Sequence, residues 1–280
     1  MSTLTSESSG PLLTRFVDGI LYATLNLPDK RNALTDDLVA ALSDECDRVA
    51  DDDTVRAFVL RGAGGTFCAG GDFSGFKALM REPAPSAGLD PIARYNRQFG
   101  AMLEKLAVLP MPTIAVVEGA AVGGGCGLAA ACDYVLMAAN AHFSMPETTL
   151  GLPAAQIAPF IVARIGKTQA RWLMLTGTRL SAAEALYAGL ADETTSPVGL
   201  NAALQSELSR VLGAEPAAQR ATKRIVADAT KRELPLVLDA AADAFAMALR
   251  SGTVTEGLAA LAEKRAPNWR IAAPTTPELS

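Results

Sequence analysis

The segment GAAVGGGCGLAAACDY, residues 119–134, places four glycines within five positions, directly before a run of small apolar residues. Glycine costs about 0.5–1 kcal/mol relative to alanine inside a regular element, so such a cluster marks backbone that must bend sharply or approach another group closely. The apolar run that follows is typical of a buried helix. The segment therefore predicts a tight glycine turn that leads into a buried helix and lies against a ligand.

A second glycine-rich segment of similar character, GTFCAGGD, occupies residues 65–72. Each segment follows a short β-branched run that ends in glycine, VRAFVLRG at 55–62 and PTIAVVEGAA at 112–121, and such runs are typical of strands. Two loops of one type after two strands predict one shared ligand.

Around these loops the first half of the chain alternates strand and helix patterns. GILYATLNLP (19–28) is strand-like, and residues 34–53 have apolar side chains at helical spacing after Thr35, which can cap the helix. From residue 167 onward the pattern is mostly helical, with Ser181 and Glu184 spaced as a capping box. Residues 73–98 combine proline, glycine and mixed charge, which predicts a long mobile insertion that shapes a pocket.

The composition limits the classes of function. The chain has 280 residues, 50% hydrophobic content and a formal net charge of -5, so it can bury a large core and offers no basic surface for nucleic acid. Its four cysteines lack metal-binding spacing and are accompanied by a single histidine, so free thiols in a reducing compartment explain them. The start of the chain does not resemble a leader, and no apolar run is long enough to span a membrane. We therefore expect a cytoplasmic protein with no membrane or nucleic-acid partner and no metal.

Two nucleotide-binding motifs are incomplete. Neither Gly123 nor Gly125 begins a G-x-G-x-x-G series, and Gly166-Lys167-Thr168 lacks the first glycine of a phosphate-binding loop, since Ile161 stands there. We interpret the second match as the start of a helix.

Other reactive residue types have structural explanations. His142, the only histidine, lies in the alternating stretch AHFSMPE and is interpreted as a strand residue. Cys68 and Cys126 are interpreted as small apolar residues, because no base or cation accompanies them.

The two loops and one acid, Glu147, remain as a chemical site. Free backbone N–H groups from separate loops can converge on one carbonyl oxygen, and each such donor contributes about 2.7–4 kcal/mol when negative charge develops there. A carboxyl group in the apolar stretch FSMPETTLGLPAAQIAPF can carry a proton to or from the resulting enolate. The alternative is that Glu147 is an ordinary surface or ion-paired acid.

Five segments in order resemble the enoyl-CoA hydratase/isomerase, or crotonase, superfamily. They are PDKRNAL (28–34), GGTFCAGGD (64–72), GAAVGGGCGLAAACDY (119–134), FSMPETTLG (143–151) and TEGLAALAEKRAPNW (255–269). The resemblance implies an α/β fold, a crotonase-like spiral of ββα units with a helical C-terminal trimerisation region. The corresponding organisation is a flexible tail (1–12), the spiral core (13–200), the helical oligomerisation region (201–270) and a second flexible tail (271–280).

The resemblance also implies roles for individual residues. Glu147 is the expected catalytic residue, and the backbone N–H groups of Ala69 and Gly124 are the expected oxyanion hole for a coenzyme A thioester. Substrate-binding positions carried over from the family are Arg31, Ala33, Gly70, Asp72, Gly123, Gly127, Gln156, Phe245 and Lys264. The implied partner is an acyl-CoA thioester bound by a homotrimer or a dimer of trimers, with no cofactor, because coenzyme A enters as part of the substrate.

The chain departs from the family pattern at the first acid. Two-acid hydratases of the superfamily have glutamate at the positions of both Gly127 and Glu147, and a PGAGG turn where this chain has LPAAQIAPF (152–160). The stretch from Glu147 resembles the isohexenylglutaconyl-CoA hydratases, which also lack the first acid. Three functions remain: a hydratase with Glu147 as sole general acid and base, a 3-enoyl-CoA to 2-enoyl-CoA isomerase, and a non-catalytic acyl-CoA-binding scaffold.

Overall fold

The structure is a computed structural model that describes residues 10–72, 77, 80, 81, 88 and 90–276. Within these residues the chain forms nine strands and ten α-helices. The strands are β1 (Leu12–Val17), β2 (Ile20–Leu25), β3 (Ala57–Gly62), β4 (Thr113–Val117), β5 (Ala120–Val122), β6 (Tyr134–Ala138), β7 (His142–Ser144), β8 (Arg179–Ser181) and β9 (Glu193–Thr195).

Both halves of the chain contain helices. They are α1 (Asp36–Ala50), α2 (Pro91–Val108), α3 (Gly124–Ala131), α4 (Ala158–Ile165), α5 (Lys167–Thr176), α6 (Ala182–Ala188), α7 (Leu200–Gly213), α8 (Pro216–Asp228), α9 (Leu234–Arg250) and α10 (Thr253–Ala262). No helix in the described part of the chain is both long enough and apolar enough to cross a membrane.

The main sheet has six strands in the order β1-β2-β3-β4-β6-β9. β1 and β2 pair antiparallel, and all other neighbours in this sheet pair parallel. Every residue of β2 and β4 is buried, as expected for strands covered on both faces. This sheet forms the centre of the core.

The second sheet positions the site. Its order is β5-β7-β8, and β5 and β7 run parallel with Val122 opposite Ser144. Parallel strands end at the same edge of a sheet, so the glycine turn after Val122 and the acidic turn after Ser144 leave this sheet side by side.

Several local predictions are confirmed. Thr35 caps α1 by accepting a hydrogen bond from the N–H of Leu38 at 3.3 Å, and Ser181 and Glu184 form a complete capping box on α6. α3 begins at Gly124 and is buried along most of its length, and Gly166 immediately precedes α5. The strand prediction for His142 is also confirmed.

The last part of the predicted insertion at 73–98 is helical. Its last eight residues, 91–98, form the first turns of α2, which begins with Pro91 and is capped by the Asp90 side chain through the N–H of Ile92 at 2.7 Å. Most of residues 73–89 lie outside the described part of the chain.

Contacts on both sides of α9 and α10 attach the C-terminal helices to the core. Before α9, Lys223 of α8 binds the Asp133 carboxylate at 2.5 Å. After α10, the backbone carbonyl of Trp269 accepts from the guanidinium of Arg56 at 3.2 Å, and the same guanidinium donates to the carbonyl of Ala214 at 2.9 Å. Between these attachments, α9 and α10 present apolar side chains that are exposed in the single chain: Leu234, Leu236, Leu238, Phe245, Met247, Leu249, Leu258 and Leu261.

Candidate active site

The two glycine loops are in direct contact. Gly70 has φ +93°, and a Cβ atom placed on it would lie 2.8 Å from the carbonyl oxygen of Val122 and 3.9 Å from the nitrogen of Gly124. Only glycine allows this approach, because any side chain here would press on the second loop. The contact brings the two loops together, and the predicted shared ligand remains a prediction.

In the first loop, the N–H group of Ala69, which we expected to be free, already donates a hydrogen bond. The N–H of Ala69 donates to the carbonyl oxygen of Arg31 at 3.0 Å. This hydrogen bond speaks against Ala69 as the first oxyanion donor. It gives Arg31 a structural role instead: its left-handed backbone (φ +52°) ends a 3-10 turn, its carbonyl supports the loop, and its side chain is exposed.

Gly71, two residues after Ala69, has the free N–H that an oxyanion hole requires. Leu34 forms a parallel bridge opposite Gly71 by donating to the carbonyl of Gly70 at 2.8 Å and accepting from the N–H of Asp72 at 3.3 Å. In a parallel bridge the residue in the middle directs its own N–H away from the partner. No hydrogen bond from the Gly71 N–H is found within the described residues. Sequence reasoning missed Gly71, because the pairing of this loop with Leu34 decides which N–H remains free to bind a ligand.

The second loop presents the N–H of Gly124. Gly123 adopts φ +52° and ψ −113°, donates its own N–H to the Ser144 carbonyl at 2.8 Å, and leaves Gly124 as the first residue of α3. The first N–H groups of a helix have no partner inside it, and the helix dipole adds partial positive charge there. Leu34 and Phe99 lie close to the Cα of Gly124, so apolar side chains border this donor.

Glu147 lies against the second loop. A Cβ atom on Gly123 would lie 2.7 Å from Oε1 of Glu147, so the carboxyl group touches the backbone of the turn that carries Gly124. Its other oxygen, Oε2, is buried and has no hydrogen-bond partner in the described part of the chain. Burial raises the pKa of Glu147, while a hydrogen bond from its own backbone N–H partly opposes that rise. The alternative of an ion-paired surface acid therefore does not fit this carboxyl group.

The turn that carries Glu147 is fixed from outside the sheet. Thr148 donates its hydroxyl to the carbonyl of Met174 at 2.9 Å, near the end of α5, and the N–H of Leu152 donates to the Glu147 carbonyl at 2.9 Å. Gly151 ends the turn in the left-handed region with φ +79°. The carboxyl group is thus held on a short rigid turn.

Gly127 is buried, and its surroundings leave no room for a side chain. A Cβ atom there would lie 2.6 Å from Cγ2 of Ile157 and 3.3 Å from Cδ1 of Leu103. Ile157 and Leu103 are themselves buried. The space that a first acid would need is therefore filled by hydrocarbon.

Gln156, which precedes Ile157 in the chain, contacts α2. Its side-chain amide donates to Oδ1 of Asn96 at 2.8 Å, and its Oε1 lies over the Cα of Gly100, where a side chain on residue 100 would displace it. Gln156 thereby ties the stretch that replaces the PGAGG turn to the helix that follows residues 73–89.

Asn32 is a second residue that sequence reasoning missed, although it lies inside PDKRNAL. It is fully buried, accepts from the N–H of Leu27 at 2.9 Å, and donates to the carbonyls of Ala63 (2.9 Å) and Thr66 (2.6 Å). It joins the segment containing Arg31 and Ala33 to the loop that leads to Gly71. The available signal was an asparagine in a turn-like segment, because asparagine tolerates the left-handed backbone that it adopts here, with φ +54°.

Asp72 lies at the edge of the site. Its carboxylate is 3.7 Å from the ammonium of Lys30, and both line a cleft of about 390 Å³ that also includes Asp36 and Tyr95. Ala33, another predicted binding residue, is half-buried in the first of the two segments that Asn32 joins.

Phe245 and Lys264 lie elsewhere on the chain. Phe245 is 67% exposed on α9, and Lys264 is exposed just after α10 with φ +53°. No described contact joins either of them to Gly124 or Glu147.

The cysteines are all free and buried. Burial raises the pKa of the Cys68 thiol to about 12 and raises that of Cys126 as well. Both remain protonated at neutral pH, which agrees with their interpretation as unreactive residues. No cluster of three or more metal-ligating side chains occurs among the residues that the structure describes.

Comparison with known proteins identifies the class that this fold and site define. The family model of the enoyl-CoA hydratase/isomerases matches residues 15–271. The chain is 32% identical over 260 residues to the 1,2-epoxyphenylacetyl-CoA isomerase of Escherichia coli K12, covering 92% of this chain and 97% of the relative. It is 31% identical over 253 residues to the 2,3-dehydroadipyl-CoA hydratase of the same organism, covering 90% and 95%.

Solved structures agree. An enoyl-CoA hydratase/isomerase from Marinobacter aquaeolei superposes with a TM-score of 0.89 at 40% identity, covering 93% of this chain and 99% of that one. Pseudomonas aeruginosa AtuE superposes with a TM-score of 0.88 at 41% identity, covering 93% and 100%. The chain therefore belongs to the enoyl-CoA hydratase/isomerase family and is an enzyme of that family, and the predicted α/β crotonase fold is confirmed.

Proposed function

We propose that the protein is an enoyl-CoA hydratase, which adds water to or removes it from an acyl-CoA thioester through an enolate. The N–H groups of Gly71 and Gly124 bind the thioester oxygen, and Glu147 is the sole general acid and base. The observation that carries the proposal is the buried, partnerless Oε2 of Glu147 beside the turn that presents the Gly124 N–H.

In the hydration direction, Glu147 accepts a proton from water as the water oxygen forms a bond to carbon 3 of the enoyl group. The electron pair of the double bond moves onto carbon 2 and the thioester oxygen, where the two N–H groups stabilise the negative charge. Glu147 then returns the proton to carbon 2. A raised pKa suits this cycle, because it makes the carboxylate a stronger base toward water and brings the pKa closer to the neutral range in which general acid–base catalysis is most effective.

The second candidate is a 3-enoyl-CoA to 2-enoyl-CoA isomerase. The packing of Ile157 and Leu103 against Gly127 favours it, because shuttling a proton between carbons 2 and 4 needs one acid and no held water. The non-catalytic scaffold is the third candidate, and the burial of Oε2 of Glu147 without a hydrogen-bond partner is the observation against it.

One experiment separates the three. The protein is incubated with 2-enoyl-CoA, 3-enoyl-CoA and 3-methylglutaconyl-type thioesters in ¹⁸O-labelled water, with Glu147→Gln as the matched control. A hydratase lowers the conjugated-thioester absorbance of a 2-enoyl-CoA and places ¹⁸O at carbon 3, whereas an isomerase raises that absorbance from a 3-enoyl-CoA without gaining oxygen. Turnover of any substrate excludes the scaffold, and equal turnover by Glu147→Gln overturns the assignment of the acid.

We also propose that the protein works in the cytoplasm as a homotrimer or a dimer of trimers, and that Phe245 and Lys264 reach the coenzyme A of a neighbouring subunit. The exposed apolar side chains on α9 and α10 support a partner surface there, and the four free thiols suit a reducing compartment.

A further inference from the structure

Cys126 connects the two halves of the site beneath the surface. Its sulfur lies 3.0 Å from the carbonyl oxygen of Ala121 in β5 and 3.1 Å from that of Ser144, the last residue of β7. The residue is fully buried in the first turn of α3. A protonated thiol carries one hydrogen, so it donates one hydrogen bond that the two carbonyls on neighbouring strands share.

The Ser144 carbonyl is the shared point. It accepts from the N–H of Gly123 at 2.8 Å and from the Cys126 thiol, and both donors flank Gly124 in the chain. On the other side, only Met145 and Pro146 separate Ser144 from Glu147. One carbonyl therefore sets the separation between the turn that presents the Gly124 N–H and the turn that presents the carboxyl group.

We propose that Cys126 is a positioning residue for this reaction: its thiol holds Ser144, and so fixes Glu147 relative to the N–H of Gly124. The inference rests on the proposed function, since it assigns the distance between a proton carrier and an oxyanion donor as the quantity that Cys126 controls. Displacements of about 1 Å at such distances lower rates by about 100-fold.

The test compares three substitutions at this position. Cys126→Ser keeps a donor, Cys126→Val keeps bulk without a donor, and Cys126→Ala removes both. We expect kcat to fall at least about tenfold in the Val and Ala variants with KM unchanged, and to stay within about threefold of wild type in the Ser variant. Cys132→Val is the matched control, because Cys132 is a buried cysteine at the end of the same helix whose thiol faces only its own helix carbonyl at Leu128. The control should keep full activity.

A double-mutant cycle distinguishes positioning from general damage to the fold. If Cys126 acts through Glu147, Cys126→Ala should cause no further loss in the Glu147→Gln background, measured as residual exchange of the carbon-2 proton in deuterated water. An equal loss in both backgrounds overturns the proposal, as does a Val variant with wild-type kcat, or a change confined to KM.

Crystal structures give a readout that does not depend on activity. The separation of the Gly124 and Glu147 Cα atoms should change by at least about 0.5 Å in the Ala variant and not in the Ser variant. Superposable structures overturn the inference, whereas a wild-type protein inactive on every thioester overturns the proposed function and leaves this structural test decisive for Cys126.

Discussion

Ile157 packs directly against Gly127: the isoleucine Cγ2 lies only 2.6 Å from the position that a Cβ on residue 127 would take. The first acid of the two-acid enzymes is thus excluded by packing as well as absent from the sequence.

We predict that Gly127→Glu destabilises the protein without adding a second acid. Overpacking costs about 1–3 kcal/mol, and a buried unpaired carboxylate adds to that. Thermal unfolding should show the loss, and in a double-mutant cycle with Ile157→Gly the combined loss of stability should be smaller than the sum of the two single losses. A Gly127→Glu protein as stable as wild type would show that Ile157 and Leu103 move to accommodate the new side chain.

Gly71→Pro should lower kcat/KM by about 10²–10³-fold, because proline removes the N–H that we assign to the thioester oxygen. Gly71→Ala is the matched control: a Cβ on Gly71 meets no atom within 4 Å, and alanine keeps the N–H. Steady-state kinetics should place the Ala variant at least about tenfold above the Pro variant. Equal activity of a folded Pro variant would remove Gly71 from the site.

Glu147→Gln should lower turnover by about 10²–10⁴-fold while acyl-CoA binding, measured by calorimetry, stays close to wild type. Loss of binding in place of turnover would make Glu147 a binding residue rather than a proton carrier.

The same substitution should change stability with a defined sign. Because burial raises the pKa of Glu147, the folded state favours the protonated carboxyl. The resulting stability is complete below the ordinary carboxyl pKa and is lost as pH rises through the raised pKa. Glutamine does not titrate, so the Tm of Glu147→Gln should exceed that of wild type at neutral pH, and the difference should shrink as the solution is acidified. A difference that is constant with pH would contradict this account.

Asn32→Ala should reduce the free energy of unfolding by about 2–4 kcal/mol, since it leaves the Leu27 N–H and the Ala63 and Thr66 carbonyls without their partner. Urea denaturation measures the loss. Asn32→Asp keeps the acceptor for Leu27 but not the donors, so it should also destabilise the protein. A wild-type midpoint in both variants would refute the structural role of Asn32.

Lys264→Ala should weaken acyl-CoA affinity with a smaller effect on the chemical step, because an ammonium group suits a phosphate of the coenzyme. Lys231→Ala, which removes an exposed lysine between α8 and α9, is the control. Calorimetry that gives equal affinities for both variants would exclude Lys264 from the site.

The sequence was sufficient for the features that local patterns determine. The Thr35 cap, the capping box at Ser181, the glycine turn before α3 and the candidacy of Glu147 each depend on residues close together in the chain. Gly71 and Asn32 were beyond its reach, because their roles follow from pairing between segments about 30 to 40 residues apart. Ile157 was missed for a related reason: nothing in its neighbourhood of sequence shows that it packs against Gly127.

The C-terminal helices are joined to the core on both sides, through Lys223 before them and through the Trp269 carbonyl on Arg56 after them. The Trp269 ring also packs on Gly257 of α10 while its indole N–H donates to the Gly213 carbonyl at 3.3 Å. The helical backbone of α9 and α10 is ordered when the chain folds, and the contacts at both ends restrict its position relative to the core. A protein surface that covers the apolar face of α9 and α10 therefore meets a preorganised face, and little of the binding free energy is spent on ordering it.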